Sequence, residues 1–352
     1  SLILLIENEL TRHHQVNTVD DATTIWKHVY SNSLPKYWRD CGKESMTTRM
    51  AIHMLNAMRY EVMLVQMFRT VPESRRFAVV DRPLEQCCRS ILHCVANAGY
   101  YDSMRAILGL LSESERCQAV IKQCTDRKTV LHYAACSGSL ECLQLILDFY
   151  SEEERLRAVE RRDRFERSVL HYVALSENTE CIKLVLSLYP ESKRLQAVCQ
   201  PSKHGRSVLF YAKQSCESLE VIIGLLPEEH RMQAVCTGGN DGRSVLHHVA
   251  NSGKSDSMRT ILSTLPQSQR LKAISLQNEC GNTALHIAAR LENIDTVKVI
   301  LESLPASQRL QAVNFRDRKG KTVLRIASEM TRESIMQLLS NQPETTQTKE
   351  VD

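Results

Sequence analysis

One phrase returns along this chain at an almost fixed interval, and that recurrence limits the possible folds more than any other feature. It is a Ser or Thr, an apolar residue and usually Leu, followed by a residue that is usually His. The following residue falls at His93, His132, His171, Phe210, His247, His286 and Arg325. Five of these six intervals are 39 residues and one is 37. A weaker copy, RMAIHML, puts His53 40 residues before His93 and brings the number of units to eight. Periods of roughly 20–50 residues belong to chains built by stacking one supersecondary unit on the next, each unit packing only on its neighbours.

Periodicity divides each unit into three helices and a loop. TVLHYAACSG (129–138) opens on a hydroxyl residue suited to an N-cap, stays apolar for two turns and stops at Gly138. LECLQLILDFY (140–150) places Leu140, Leu143, Ile146, Leu147 and Tyr150 on one helical face. A third short helix follows, SEEERLRAV here and PESKRLQAV at 190–198, opened by Ser or Pro. A polar loop such as ERRDRFER (160–167) then leads to the next unit. EMTRESIMQLLS (329–340) reads as a closing amphipathic helix. These readings give an all-α fold class.

GNTALHIAA (281–289), DGRSVLHHVA (241–250) and RKTVLHYAACSG (127–138) resemble ankyrin repeats, whose hallmark is T-P-L-H-x-A in a unit of about 33 residues. Two departures stand out. The Pro is replaced by Val, Ile or Ala in every copy, and each unit carries about six extra residues, the third helix, where an ankyrin repeat has a short tip. Such long repeats are similar to those of effectors secreted by intracellular bacteria into host cells. The resemblance implies an ankyrin-like α-solenoid over residues 46–340, preceded by a helical cap over 1–45 and followed by a disordered tail, 341–352. The cap contains Trp26, Tyr37 and Trp38, and Arg12 and Val16 look like the end of an earlier unit. It also implies a non-catalytic, monomeric protein–protein interaction scaffold with a concave groove. The alternatives are a targeting module of a larger enzyme or an array that binds nucleic acid or phosphate.

Several rows of repeated residues are candidates for function. The histidines at 53, 93, 132, 171, 247 and 286 share one slot, where a resemblance to ankyrin units implies a bridge between the Ser/Thr hydroxyl and nearby backbone. Copies about 10 Å apart cannot share a metal. Arg76, Arg116, Arg155, Arg194, Arg231, Arg270 and Arg309 recur in the third helix. Glu stands three residues earlier at 73, 113, 152, 191 and 228, the spacing of a helical ion pair. A row of Tyr133, Tyr172 and Tyr211, continued by His248, reads as packing between first helices.

The residue before the Ser/Thr is basic in six of seven copies: Arg89, Lys128, Arg167, Arg206, Arg243 and Lys321, with Asn282 the exception. Together with the loop residues Arg164, Phe165, Lys203, His204, Asn240, Arg318 and Lys319, and with Tyr211, they form the candidate contact set for an acidic protein or peptide. The unit around Phe210 is irregular. It lacks His, lacks two residues and lacks the inter-helix Gly, and CTGGNDGR (236–243) follows it. The stretch from Lys203 to Arg243 is therefore the expected centre of contact.

Bulk composition excludes some classes. A net charge of +4 and a pI near 8.4 fall short of a dedicated nucleic-acid binder, for which a pI above about 9 is usual. Thirteen cysteines scattered through helical patterns suit a reducing, cytoplasmic compartment better than a disulfide scaffold. No apolar run approaches the roughly 18 residues of a membrane span. The sequence holds no P-loop, G-x-G-x-x-G, H-E-x-x-H or G-x-S-x-G. The densest thiol–imidazole group, Cys87, Cys88, His93 and Cys94, lacks paired C-x-x-C spacing. No catalytic residue, cofactor or metal is expected.

Overall fold

The computed structural model describes residues 72–82 and 89–340. The cap expected over 1–45, the unit around His53, Cys87, Cys88 and the tail at 341–352 lie outside the described residues. The chain divides into two compact units, residues 1–164 and 165–352. Among the described residues the regular elements are twenty-one α-helices, and there is no strand. No helix there is long and apolar enough to cross a membrane.

The first unit contains α1 (Glu73–Asp81), α2 (Ile91–Ala98), α3 (Tyr101–Gly109), α4 (Glu113–Ile121), α5 (Val130–Ser137), α6 (Leu140–Leu147) and α7 (Glu152–Glu160). The second begins with α8 (Val169–Ser176), α9 (Thr179–Ser187), α10 (Glu191–Cys199), α11 (Val208–Ala212), α12 (Cys216–Gly224) and α13 (Glu228–Cys236). It continues with α14 (Val245–Ser252), α15 (Ser255–Ser263), α16 (Gln267–Ile274), α17 (Ala284–Arg290), α18 (Ile294–Glu302) and α19 (Ala306–Asn314). It closes with α20 (Val323–Ile326) and α21 (Glu329–Ser340). The triple rhythm read from the sequence is thus present. Within each unit like packs on like: α2 on α5, then α8, α11, α14, α17 and α20 in succession, with α9, α12, α15, α18 and α21 as a second row.

Each helix has a local cause. First helices start where a Ser or Thr caps the amide of the third residue, and several stop at a left-handed glycine, Gly99, Gly138 or Gly253. Their apolar residues are buried on nearly every side, as Val245, Leu246, Val249 and Ala250 are in α14. Second helices present one apolar stripe, such as Met258, Ile261 and Leu262 in α15. Third helices bury little; α16 contributes only Ala273 and Ile274. Pro72, Pro190, Pro227, Pro266 and Pro305 open five of them with φ between −52° and −56°, already close to helical.

The loops stack as well. Lys203 N–H donates to the Phe165 carbonyl at 2.8 Å, Glu279 N–H to Asp241 at 3.2 Å and Arg318 N–H to Cys280 at 3.2 Å. The second residue before each Ser/Thr is left-handed in all six described loops that carry it: Arg127, Glu166, Gly205, Gly242, Gly281 and Gly320. A methyl group on Gly205 would overlap the backbone nitrogen of Asn240, so this position needs glycine for close approach as well as for φ.

Candidate interaction face

The repeated histidine is a structural relay. In five copies the backbone N–H of the Ser/Thr donates to His Nδ1: Ser90 to His93, Thr129 to His132, Ser168 to His171, Ser244 to His247 and Thr283 to His286, all at 3.1–3.3 Å. A nitrogen that accepts a backbone N–H carries no proton, so Nε2 is the protonated atom. Nε2–H donates to a carbonyl in the next loop: His132 to Arg161 at 3.0 Å, His171 to Gln200 at 3.1 Å, His247 to Asn282 at 3.0 Å and His286 to Lys321 at 3.3 Å. One neutral ring therefore satisfies a helix start and fastens it to the following loop. Burial pushes His93 down to about 4 and lowers His247 and His286 as well. These imidazoles stay uncharged at neutral pH.

The arginine row corrects the sequence reading. Glu113–Arg116, Glu152–Arg155, Glu191–Arg194 and Glu228–Arg231 form no ion pairs. Instead, the guanidinium turns back onto carbonyls at the end of the second helix. Arg116 Nε donates to Leu108 and Leu111 at 2.8 and 2.9 Å, and Arg155 Nε to Leu147 at 3.1 Å. Arg194, Arg270 and Arg309 reach further, to Leu225, Ser303 and Leu338 at the same position of the next repeat. The reason is energetic. The last carbonyls of a helix have no intrahelical donor, and a charge-assisted bond to them contributes more than an exposed ion pair of about 0–1 kcal/mol.

Four of the six basic residues before the Ser/Thr lie over aromatic rings. Arg89 and Lys128 lie 4.9 and 5.2 Å from the centroid of Tyr133. Arg167 lies 4.8 Å from Phe165 and 4.9 Å from Tyr172, and Arg206 lies 4.3 Å from Phe210. Tyr133 and Tyr172 are buried among first helices, and Tyr211 is half-buried, edge-on to His171. One member of the row and one loop residue have carboxylate partners, which the sequence reading did not anticipate: Arg243 pairs with Asp241 at 3.5 Å and Arg164 with Asp126 at 3.0 Å.

The irregular repeat differs most. Phe210 occupies the histidine slot, makes no relay, and α11 lasts five residues where α8 and α14 last eight. Three residues on, five other copies bury an alanine completely (Ala96, Ala135, Ala174, Ala250, Ala289), and this one has Lys213. An ammonium cannot enter that slot without losing its hydration. The helix ends there, and Lys213 Nζ lies 3.8 Å from the Phe210 centroid. His248, from α14, meets the same ring at 4.5 Å and 83°. Burial first, then the charge of Lys213, pushes His248 down to about 4. Burial first, then Arg206, lowers Lys213.

With this geometry in place, the comparisons with known proteins are informative. A family profile for ankyrin repeats in three copies matches residues 215–307 and 246–349, and a single-repeat profile matches 126–151. Those stretches match ankyrin repeats. Among solved structures, the chain is similar to the human ASB11 ankyrin repeat domain, at 15% identity and a TM-score of 0.53, covering 72% of this chain and all of that one. It is also similar to the ankyrin repeat domain of Bcl-3, a member of the IkappaB family, at 15% identity and a TM-score of 0.52, over 70% of this chain and 97% of that one. At such identity the likeness concerns the fold. No curated protein matches the sequence.

In the ankyrin frame, the expected contact residues separate into groups. Arg89 and Lys128 share one ring, and Arg167 joins Phe165. Lys203, His204 and Asn240 are exposed in neighbouring loops next to Arg206 and Arg243. Arg318, Lys319 and Lys321 are exposed in the last described loop, where Asp317 accepts the Lys319 and Lys321 backbone N–H groups and Arg318 N–H donates to Cys280. Lys213, Phe210 and His248 were absent from the expected set. The signal was available, since the same copy changes His to Phe and Ala to Lys at i and i+3. All ten described cysteines are free thiols.

Proposed function

We propose that this chain is a non-catalytic scaffold that binds an acidic segment of another protein along the loop edges and first helices of its ankyrin repeats. Ankyrin repeats are protein-interaction modules, and the general reading follows from the fold. The acidic partner is the finer step, and the observation that carries it is the placement of basic side chains over aromatic rings at successive repeats. A guanidinium held over a ring gains about 0.5–1 kcal/mol at an exposed site and loses rotamer freedom before any partner arrives. A guanidinium also offers the N–H fork that suits a carboxylate. Aromatic rings beside arginines also have the composition of binding hot spots.

The test is selection of unbiased displayed peptides on the intact chain at 150 mM salt. The expected outcome is enrichment of Asp- and Glu-rich sequences, with affinity reduced about tenfold or more by Arg167→Glu or Arg206→Glu. Enrichment of neutral or basic sequences contradicts the reading. Tighter binding to generic RNA, with affinity falling steeply as salt rises, would assign the basic row to nucleic acid instead.

A further inference from the structure

We propose that Arg206, Lys213 and His248, gathered around the Phe210 ring, form a site for the carboxylate of a glutamate side chain in the bound segment. This rests on the reading above, that the partner segment is acidic, and names the one place where such a segment is read.

Three observations carry it. First, two cations share one ring, at 4.3 and 3.8 Å from its centroid, and among the described residues neither side chain has a carboxylate partner. Their mutual repulsion is part of what lowers Lys213. Asp241, the acid whose charge acts on His248, already pairs with Arg243 and accepts its backbone N–H at 3.1 Å. A like-charged pair left without a counter-charge is an arrangement that an incoming anion relieves. Second, the cluster arises from a double departure in one repeat. Phe replaces a buried His that would have made two or three hydrogen bonds, and Lys replaces an alanine that would have packed without cost. Both changes sacrifice stability, and a lost internal contact at a surface cluster is the usual mark of a binding role. Third, the chemistry favours a glutamate over a bare phosphate. The cations come from side chains flanking an apolar ring, which accommodates a methylene stem.

His248 adds proton linkage. The charged groups that act on it are Lys213, Arg243 and Arg206, which disfavour its cation, and Asp241, which favours it. A bound carboxylate adds a second favouring charge, so binding draws a proton onto the ring. Affinity therefore rises as pH falls from about 7.5 to 5.5, above the range in which glutamate itself protonates, about 4.3.

The experiment uses the full chain with labelled histidines and deca-glutamate as probe, following the His248 resonance, identified by its loss in His248→Gln, together with affinity. On saturation, the His248 titration midpoint should move from about 4 upward by about two units, which makes affinity about fourfold tighter at pH 5.5 than at 7.5. Lys213→Ala, the residue five other repeats carry, should keep the fold and weaken binding about tenfold or more. Lys298→Glu, an exposed charge on α18, should change it less than about twofold. Inorganic phosphate should leave the resonance in place. Deca-glutamate binding with an unmoved His248 resonance, or equal losses from Lys213→Ala and Lys298→Glu, overturns this site while leaving the acidic-partner reading intact. Phosphate moving the resonance as far as the peptide does overturns the glutamate assignment. Absence of any deca-glutamate binding overturns both.

Discussion

Two consecutive copies of one unit, residues 207–226 and 244–265, use the same slots for opposite ends. In the second copy, Ser244, His247 and Asn282 close a buried relay, Ala250 packs without exposure, and α14 runs for eight residues. In the first, Phe210 and Lys213 take the positions of that histidine and alanine, α11 stops after five residues, and a ring flanked by cations lies at the surface. The first copy still stacks: Val208, Leu209, Leu219, Ile222 and Ile223 are fully buried, and Ser257 Oγ fastens the Lys213 carbonyl at 3.1 Å. The comparison teaches that stacking is secured by the apolar residues, while the relay adds stability that one copy can forgo.

The largest expected effect separates copies with a relay from the copy without one by pH. Between about 6.5 and 4 the unfolded chain takes up protons that the buried histidines refuse, so stability is full above 6.5 and declines as pH falls toward 4. His93, pushed down to about 4, accounts for ~3 kcal/mol of that loss, and His247 and His286 act in the same direction. Urea unfolding at pH 7.5 and 5.0 checks it; a midpoint unchanged between the two contradicts the neutral relay.

Equivalent truncations should differ next. His247→Ala strands the Ser244 amide and the Asn282 carbonyl and opens a cavity, a loss of about 3 kcal/mol. Phe210→Ala, which breaks no hydrogen bond, should cost about 1 kcal/mol or less by the same unfolding measurement. Arginines divide likewise. Arg270→Met removes donors from the Leu265 and Ser303 carbonyls and should cost about 2 kcal/mol, whereas Arg206→Met removes only a ring contact of about 0.5–1 kcal/mol. The smallest effect concerns helix ends. Glu177 holds φ at 63° where Gly99, Gly138 and Gly253 hold 66–72°. Glu177→Gly should therefore raise the thermal midpoint, by relief of about 0.5–1 kcal/mol.

The periodic features were legible from residues alone. The segments 129–138, 140–150 and 329–340 fold as helices Val130–Ser137, Leu140–Leu147 and Glu329–Ser340, because hydroxyl caps, terminal glycines and i, i+3 apolar spacing are local signals. The histidine's structural duty followed from its recurrence in one slot together with the resemblance to ankyrin units. Side-chain direction was not legible. Arg116 and its equivalents face helix-end carbonyls of the preceding helix rather than the glutamate one turn back, a choice made by tertiary neighbours. The pairing of Arg164 with Asp126, 38 residues earlier, depends on loop stacking that no local spacing announces. Lys213 escaped notice because a lone lysine beside a helix break looks like solvated surface; only its depth against Phe210 and His248 gives it meaning.

The most direct measurement follows one double variant, Phe210→His with Lys213→Ala, which returns the irregular copy to the sequence of its neighbours. Thermal unfolding and deca-glutamate affinity are read on the same preparation. A trade of stability for binding predicts a thermal midpoint raised by several degrees and affinity weakened at least tenfold. A lower midpoint with undiminished affinity would contradict it.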